Sequence, residues 1–352
     1  MAINYNEVLS AYGLTEEASI VPHGTGLIHK TWVVTDKNKE QYILQQINTA
    51  VFRDPDVIAQ NIERLGNYLK DTAPDYLFVQ PLKTIDGKLY YETETDIYRL
   101  IPFVNGTHTV PVAKTTKQAF EAAKQFGKFS RLLHHFPVQQ LKPTIPHFHD
   151  LSIRYQQFQK AITEGDKERR EKCAYLIEAF QEFDFIETQY QYIMGHFPLR
   201  VMHHDTKISN VLLNANDEGV CVIDLDTVMP GYYISDTGDM FRTYLSPVSE
   251  EEKDFNLIDI RIPFFEAIVQ GYALEMKSVM TPEEKEAFFY SGQFLIYMQA
   301  LRFLTDYLNN DIYYGSSYEG HNKMRAENQL TLLKRYTNHE REFAKICQEC
   351  LF

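Results

Sequence analysis

HHDTKISNVLL at residues 203–213 and VIDLD at residues 222–226 decide the fold of this 352-residue chain. Asp205 lies two residues after His203 and five before Asn210, and Asp224 follows after an apolar run. Phosphoryl transfer from ATP needs a carboxylate that takes the proton of the acceptor hydroxyl, and an Asn and an Asp that hold Mg²⁺ on the phosphates. The spacing therefore predicts a kinase, with Asp205 as catalytic base and with Asn210 and Asp224 as metal ligands.

Polar neighbours of this motif each have two interpretations. Lys207 is placed to reach the γ-phosphate as a second catalytic residue, or it is a solvated lysine. We interpret His203 as a packing histidine that hydrogen-bonds the backbone and braces the loop, rather than as a base. Asp226 is either a second metal ligand or a brace. Asp236 and Asp239 either hold the loop and cap the next helix, or act directly in catalysis.

Composition and charge limit the partners. The chain is 44% hydrophobic and 24% charged, as in an ordinary globular protein. Its 35 basic and 48 acidic residues give a net charge of −13, which repels nucleic acid and anionic membranes, so we expect neither as a partner. ATP is repelled too, and its site must rely on Mg²⁺ and local amides. Four cysteines in so long a chain, with no leader-like segment, predict a cytoplasmic location.

The order of apolar patterns predicts an α+β, protein-kinase-like bilobal fold. A short helix at 5–12, strands around 20–21, 32–34 and 42–47, a helix at 57–69, and β-rich segments at 76–82 and 88–104 describe a small antiparallel sheet with one helix. After residue 105 we predict a larger, mainly helical lobe, interrupted by β segments at 199–226. Its predicted helices span residues 117–133, 151–162, 167–194, 251–276, 281–308 and 325–348. The two lobes are therefore 1–104, for the nucleotide, and 105–352, for catalysis and the acceptor.

A glycine turn, Gly24-Thr25-Gly26, lies between the first two strands. Glycines there let backbone N–H groups approach phosphates closely. By itself a G-x-G pattern is more often a plain hairpin turn. Its position ahead of a strand, a helix and the Asp205 motif favours phosphate binding.

At these residues the chain resembles the aminoglycoside phosphotransferase and choline kinase family, and within it the N-acetylhexosamine 1-kinases. The resemblance extends over nearly the whole chain. It rests on YILQQIN at 42–48, Asn61-Ile62-Glu63, HFHD at 147–150 with Arg154, the two opening stretches, and RFLTDYLNNDIYY at 302–314. The last stretch is the most specific to sugar kinases.

That resemblance implies ATP- and Mg²⁺-dependent phosphorylation of the anomeric hydroxyl of N-acetylglucosamine or N-acetylgalactosamine. Asp205 then faces the hydroxyl, while Arg302, Tyr313 and Thr243 lie at the sugar. The nucleotide would be bound by a further set of residues: Gly24, Thr25, Gly26, Gln45, Glu63 and Phe103. The oligomeric state stays open, and a monomer agrees with everything in the sequence.

Four positions depart from the expected pattern. Gln45 stands where kinases carry a strand lysine, Leu27 and His29 replace a His and an Asn, and Thr243 replaces an aromatic residue. Two other interpretations therefore remain. One is a kinase of another small alcohol, such as an aminoglycoside, choline or another sugar, and the other is a nucleotide-binding pseudokinase. A hydrolase is disfavoured because no C-x-P-x-R, H-E-x-x-H or G-x-S-x-G segment is present.

Overall fold

The computed structural model of the protein describes residues 5–15, 17–24 and 28–352. Its first sheet contains β1 (Ser19–Pro22), β2 (Lys30–Thr35), β3 (Gln41–Gln46), β4 (Tyr91–Glu92) and β5 (Ile97–Pro102). The strands lie in the order β1-β2-β3-β5-β4, and each neighbouring pair is antiparallel.

The two faces of this sheet have different neighbours. Trp32, Leu44 and Leu100 are paired across the strands and share one face, where Val8 and Leu9 of α1 (Tyr5–Ala11) pack on them. Residues one position along each strand point the other way. Thr31, Gln45 and Arg99 therefore share the opposite face.

Helix α2 (Pro55–Thr72) connects the sheet to the rest of the molecule. It begins with Asp54, whose side chain accepts a hydrogen bond from Val57 N at 3.2 Å, and with a proline at its first position. Four apolar residues at three- and four-residue spacing form its buried side: Ile58, Ile62, Leu65 and Leu69. They belong to the hydrophobic core of the helical part. The division of the chain after residue 104 stays a prediction, since the apolar side of α2 crosses it.

The remainder is mainly helical. Its helices are α3 (Thr116–Leu132), α4 (Leu151–Glu164), α5 (Lys167–Lys172), α6 (Ala174–Gln181), α7 (Phe185–His196), α8 (Ile234–Tyr244), α9 (Ile262–Met276), α10 (Pro282–Glu286), α11 (Phe288–Leu308), α12 (His321–Asn338) and α13 (Glu340–Leu351). Its strands are β6 (Thr107–His108), β7 (Arg200–Met202), β8 (Val211–Asn214), β9 (Gly219–Val222) and β10 (Met229–Gly231). They form two small antiparallel sheets, β6-β8-β9 and β7-β10. Helix α11 packs against α4, α8 and α12, and α3 packs along α9.

This is the α+β, protein-kinase-like fold expected from the sequence, with several elements placed differently. The segment 76–82 is not a strand: Leu82 N donates to Leu100 O at 2.7 Å, but Pro81 has no N–H with which to continue a ladder. The helix predicted at 251–276 begins only at Ile262, just before Pro263.

Three other predicted helices are divided. The segment 167–194 forms α5, α6 and α7, the segment 281–308 breaks at Ala287, and the last one breaks at His339. Apolar periodicity does not reveal an interruption of one to three residues that leaves the buried side facing the same core. The predicted start at Thr281 is confirmed, as a capping box with Glu284. Among the described helices, none combines the length and the apolar character that crossing a membrane requires.

Candidate active site

Two loops lie side by side because β7 and β10 are paired, with Met202 opposite Met229. Residues 203–210 connect β7 to β8, and residues 223–228 connect β9 to β10. We call them the catalytic loop and the metal loop after the roles predicted from the sequence. The sheet register therefore brings together two stretches that are separated in sequence.

Asp205 is held by two neighbours in its own loop. Asn210 Nδ2 donates to the Asp205 backbone carbonyl at 2.9 Å and to its Oδ2 at 3.1 Å. Lys207 Nζ lies 3.1 Å from Oδ1. Because the amide nitrogen of Asn210 is used in this way, its oxygen is left free to ligate a cation. The carboxylate of Asp205 is half-buried and fixed, as a base that meets a hydroxyl must be.

Asp224 fits the metal role. Its backbone is left-handed, with φ +61°. The enclosing protein, then the charges of Asp226 and Asp205, raise its pKa to about 6. Within the described part of the chain no donor bonds its carboxylate. A carboxylate with that strain and an amide oxygen beside it are hard ligands suited to Mg²⁺.

The described residues contain no group of three or more His, Cys, Asp or Glu side chains arranged around a metal. Asn210 and Asp224 would therefore hold the ion together with phosphate oxygens and water, which is how Mg²⁺ is usually bound at nucleotide sites.

Helix α8 braces the catalytic loop from behind. Asp236 accepts hydrogen bonds from the backbone of His203 at 3.0 Å and of His204 at 2.8 Å, and Asp239 accepts one from Thr206 N at 2.9 Å. Tyr244 Oη donates to Thr206 O at 2.6 Å. Of the two interpretations of these aspartates, the structure supports the one in which they hold the loop. They do not cap the helix as that interpretation also predicted, because both lie inside α8, which begins after Tyr233.

His203 also braces the loop, as expected. Its Nδ1 faces the backbone N–H of Asp205 at 3.4 Å, so Nδ1 is the acceptor and Nε2–H donates to Ile223 O at 2.9 Å. The ring is fully buried, edge-on to Phe126. One neutral histidine thus joins the catalytic loop to the metal loop. His204 next to it has a left-handed backbone, with φ +65°, a strained conformation for a non-glycine residue.

Asp226 is bound to arginine rather than left open. The guanidinium of Arg99 contacts both of its carboxylate oxygens, with Nη2 2.9 Å from Oδ2. His29 Nε2 lies 2.7 Å from Oδ2, and Arg99 Nε donates to Gln45 Oε1 at 2.9 Å. Although burial alone would raise the pKa of Asp226, Arg99 and His29 hold it far below the usual range. Of the two interpretations of Asp226, the structure supports the brace.

Of the residues predicted to bind the nucleotide, the structure brings Gln45 into contact with this group. Glu63 instead forms an ion pair with Lys83 at 2.6 Å. Gly24 has a left-handed backbone, with φ +71°, as a tight turn requires. Phe103 directly follows β5, and its N–H donates to Gln41 O. Thr25, Gly26 and Leu27 lie outside the described residues.

Arg302, predicted from the sequence to bind the acceptor, lies on α11. Its Nη1 donates to Gln299 Oε1 at 3.1 Å and its Nη2 to Tyr313 Oη at 3.4 Å. The guanidinium also lies over Phe148 and Tyr314, 5.8 and 5.4 Å from the ring centres. Asp306, one helical turn after Arg302, accepts hydrogen bonds from the backbone N–H groups of residues 313 and 314.

A second arginine lies near the first. Burial, and then the charge of Arg302, lower the pKa of Arg154, whose hydrogen bonds go to His147 O and Gln157 Oε1. Neither arginine forms an ion pair within the described ranges. Thr243, the third predicted acceptor residue, donates its hydroxyl to Asp239 O.

Sequence reasoning missed Arg99. A signal was available: IYRLIP, the sequence of β5, is an apolar strand with one arginine inside. A charge at such a position is rarely left unpaired when buried. Its partner could not be known, because Asp226 lies 127 positions away in sequence.

Comparisons with known proteins identify the family and the fold. Residues 19–273 match the model of the phosphotransferase enzyme family, APH. Amicoumacin kinase hAmiN, solved with AMP-PNP, Ca²⁺ and Ami, is similar in fold with a TM-score of 0.62 at 13% identity, over 94% of this chain and 92% of that one. Spectinomycin phosphotransferase APH(9)-Ia, solved with ADP and spectinomycin, has a TM-score of 0.60 at 16% identity, over 99% and 100%. Choline kinase from Cryptosporidium parvum Iowa II has a TM-score of 0.54 at 14% identity, over 96% and 94%.

Proposed function

Because the chain belongs to the phosphotransferase enzyme family, we propose that it transfers the γ-phosphoryl group of ATP to the anomeric hydroxyl of an N-acetylhexosamine. The phosphotransferase part follows from the family. The choice of acceptor is the proposal, together with the roles of the individual residues.

In the proposed reaction Asp205 accepts the proton of the acceptor hydroxyl. The hydroxyl oxygen forms a bond to the γ-phosphorus as the bond from that phosphorus to the bridging oxygen of ADP breaks. Lys207, which is 3.1 Å from Asp205, is the nearby cation for the transferred phosphoryl oxygens. Mg²⁺, when bound at Asn210 and Asp224, supplies positive charge to the β- and γ-phosphates.

One observation supports an N-acetylated sugar over a cationic acceptor: the acceptor side carries Arg302 and Arg154 without a carboxylate partner in the described part of the chain. An aminoglycoside or choline is positively charged and calls for acidic or open aromatic surroundings. Uncompensated guanidiniums repel such a molecule. They are good donors to hydroxyls and to an acetyl carbonyl.

A rival proposal, a kinase of another small alcohol, keeps the same catalytic residues and changes only this side. The pseudokinase interpretation is disfavoured, since Asp205, Asn210 and Asp224 stand in one site with free ligand atoms.

The test is ADP release with ATP and Mg²⁺ across a panel: N-acetylglucosamine, N-acetylgalactosamine, their 1-O-methyl glycosides, glucose, galactose, kanamycin and choline. We expect turnover with the two free N-acetylated sugars and none with their methyl glycosides, which lack the acceptor hydroxyl. Turnover with kanamycin or choline would reject the acceptor proposal while keeping the phosphotransferase. No turnover with any of them, in a protein that binds ATP, would favour the pseudokinase.

A further inference from the structure

The usual kinase clamp on the nucleotide, a strand lysine paired with a helix glutamate, has no counterpart at its expected place. The lysine position is Gln45, a neutral amide that contacts Arg99. The glutamate position, Glu63, contacts Lys83, whose side chain is 55% exposed. An exposed pair of this kind contributes little to holding two parts of a protein together.

Arg99 instead connects the sheet to the metal loop. It lies on β5, directly opposite Gln45, on the sheet face away from α1. The residue is 4% exposed, and all three nitrogen groups of its guanidinium are used: Nε on Gln45, and both Nη atoms on Asp226. A two-pronged guanidinium–carboxylate contact fixes orientation as well as distance.

His29 holds the same carboxylate from a second direction. Asn48 N–H can only donate, and it lies 3.0 Å from His29 Nδ1. Nδ1 is therefore the acceptor, and the proton on Nε2 is donated to Asp226. The ring stacks on Phe52, with centroids 5.4 Å apart. Both ring nitrogens of His29 are thus used within the protein, and neither is available to hydrogen-bond an acceptor molecule.

We propose that Arg99 and Asp226, which we call the Arg99 latch, take the place of the missing lysine–glutamate clamp. The latch fixes the metal loop against the first sheet, and so it orients Asp224, two residues before Asp226. Arg99 is a positioning residue and acts through Asp226. The proposal rests on the phosphotransferase activity of the family and on none of the assumptions about the acceptor.

Because Arg99 and Asp226 are both buried, we expect replacing one of them to destabilise the protein more than replacing both. Removing one member of a buried ion pair leaves the other charge uncompensated, whereas replacing both removes that penalty. Arg99→Met and Asp226→Asn therefore each disturb the fold more than the double variant does. Asp226→Asn retains a side-chain oxygen that can accept the hydrogen bond from His29. Arg99→Lys retains a positive charge beside Asp226 but loses the two-pronged contact.

Two measurements test the latch without any acceptor. Hydrogen exchange in the nucleotide-free protein reports the mobility of peptides that cover residues 223–231. Calorimetry of AMP-PNP binding over a series of Mg²⁺ concentrations reports the metal site. We expect faster exchange in Arg99→Met, and a half-saturating Mg²⁺ concentration raised by about 10- to 100-fold, as when outer partners of a metal ligand are removed. Arg99→Lys should lie between wild type and Arg99→Met.

Lys83→Met is the matched control, because it breaks the exposed pair with Glu63 and leaves the latch intact. We expect both of its readouts to equal those of wild type. The double variant, the safest to fold, should be no worse than Arg99→Met alone, since the two residues act as one unit. Unchanged loop exchange and Mg²⁺ dependence in the double variant would overturn the proposal. So would Lys83→Met shifting both readouts as strongly as Arg99→Met.

Discussion

The phosphate side and the proposed acceptor side of the candidate active site differ in how firmly their residues are held. On the phosphate side, the backbone of the catalytic loop is bonded by Asp236, Asp239 and Tyr244, each fully or almost fully buried. On the proposed acceptor side, Arg302 is held by two neutral groups, and Tyr313 is 67% exposed. If these residues have the proposed roles, the loop that carries Asp205 is fixed before any substrate binds, while the acceptor side keeps free donors that its ligand must satisfy.

The largest loss should come from removing the base. Asp205→Asn keeps the size of the side chain but cannot take a proton, so we expect turnover to fall by about 10²- to 10⁴-fold with AMP-PNP still bound. Steady-state ADP release and calorimetry measure the two quantities. Asp259→Asn, at an exposed carboxylate, is the control. Wild-type turnover in Asp205→Asn would remove Asp205 from the chemistry.

The next largest effect should come from the brace behind the loop. Asp236→Asn replaces one acceptor of a backbone N–H with an NH₂ group, so two donors face each other inside the core. We expect a loss of about 1–3 kcal/mol in the free energy of unfolding and about 100-fold in turnover. Asp254→Asn also alters an aspartate that accepts a backbone N–H, but an exposed one. If both variants behave alike in denaturant titration and turnover, the phosphate side is not preorganised as described.

A pH series sharpens the contrast between the two aspartates of the metal loop. The pKa of Asp224 is raised to about 6, so its charge is lost as pH falls through that value, whereas Asp226 stays ionised. Protons and Mg²⁺ then compete, and the half-saturating Mg²⁺ concentration for AMP-PNP binding should rise by about tenfold per pH unit below pH 6. Asp224→Asn is the control: it lacks the titrating carboxyl, so any pH dependence of its half-saturating Mg²⁺ concentration comes from the nucleotide. A wild-type curve parallel to that of the variant would contradict the assignment.

On the acceptor side smaller changes are expected, in binding rather than in chemistry. Arg302→Ala should raise the acceptor KM by about 10- to 100-fold, the size expected for lost hydrogen bonds to a charged group, and leave the ATP KM unchanged. Arg131→Ala, which breaks a partly buried pair with Glu275, controls for charge removal. An unchanged acceptor KM would take Arg302 out of the site.

Tyr313→Phe should give the smallest effect of this series. Its hydroxyl makes a long, exposed bond to Arg302, so its removal should raise the acceptor KM by less than about fivefold. A loss as large as that of Arg302→Ala would mean that the acceptor side is as tightly organised as the phosphate side.

Whether a feature can be predicted from the sequence depends on how far apart along the chain its residues lie. Asp205, Lys207 and Asn210 lie within one loop, so their spacing predicted their grouping. The strands and the helix start at Thr281 could be predicted for the same reason, because each is defined by neighbouring residues. The latch was not, because Arg99 and Asp226 meet only through the packing of the sheet against the metal loop.

Helix boundaries show the same limit in another form. The breaks at Cys173, Ala287 and His339 interrupt hydrogen bonding without interrupting the apolar side, and a pattern of apolar residues reports only that side. The acceptor side is harder still, since the use of Asp306 by two backbone N–H groups rather than by Arg302 depends on how the chain turns after α11.

The hydrogen bonds of Asn61 restrict the movement of α2, which bears on how the enzyme could be regulated. Its amide nitrogen donates to Val228 O at 3.2 Å and to Lys142 O at 2.8 Å, and its oxygen accepts from Lys142 N at 3.1 Å. In protein kinases the corresponding helix moves to switch activity on and off. Here that motion would break three hydrogen bonds at once, on a residue that is 1% exposed. Moving α2 away would leave these buried polar groups without partners, which adds a free-energy cost to such a motion.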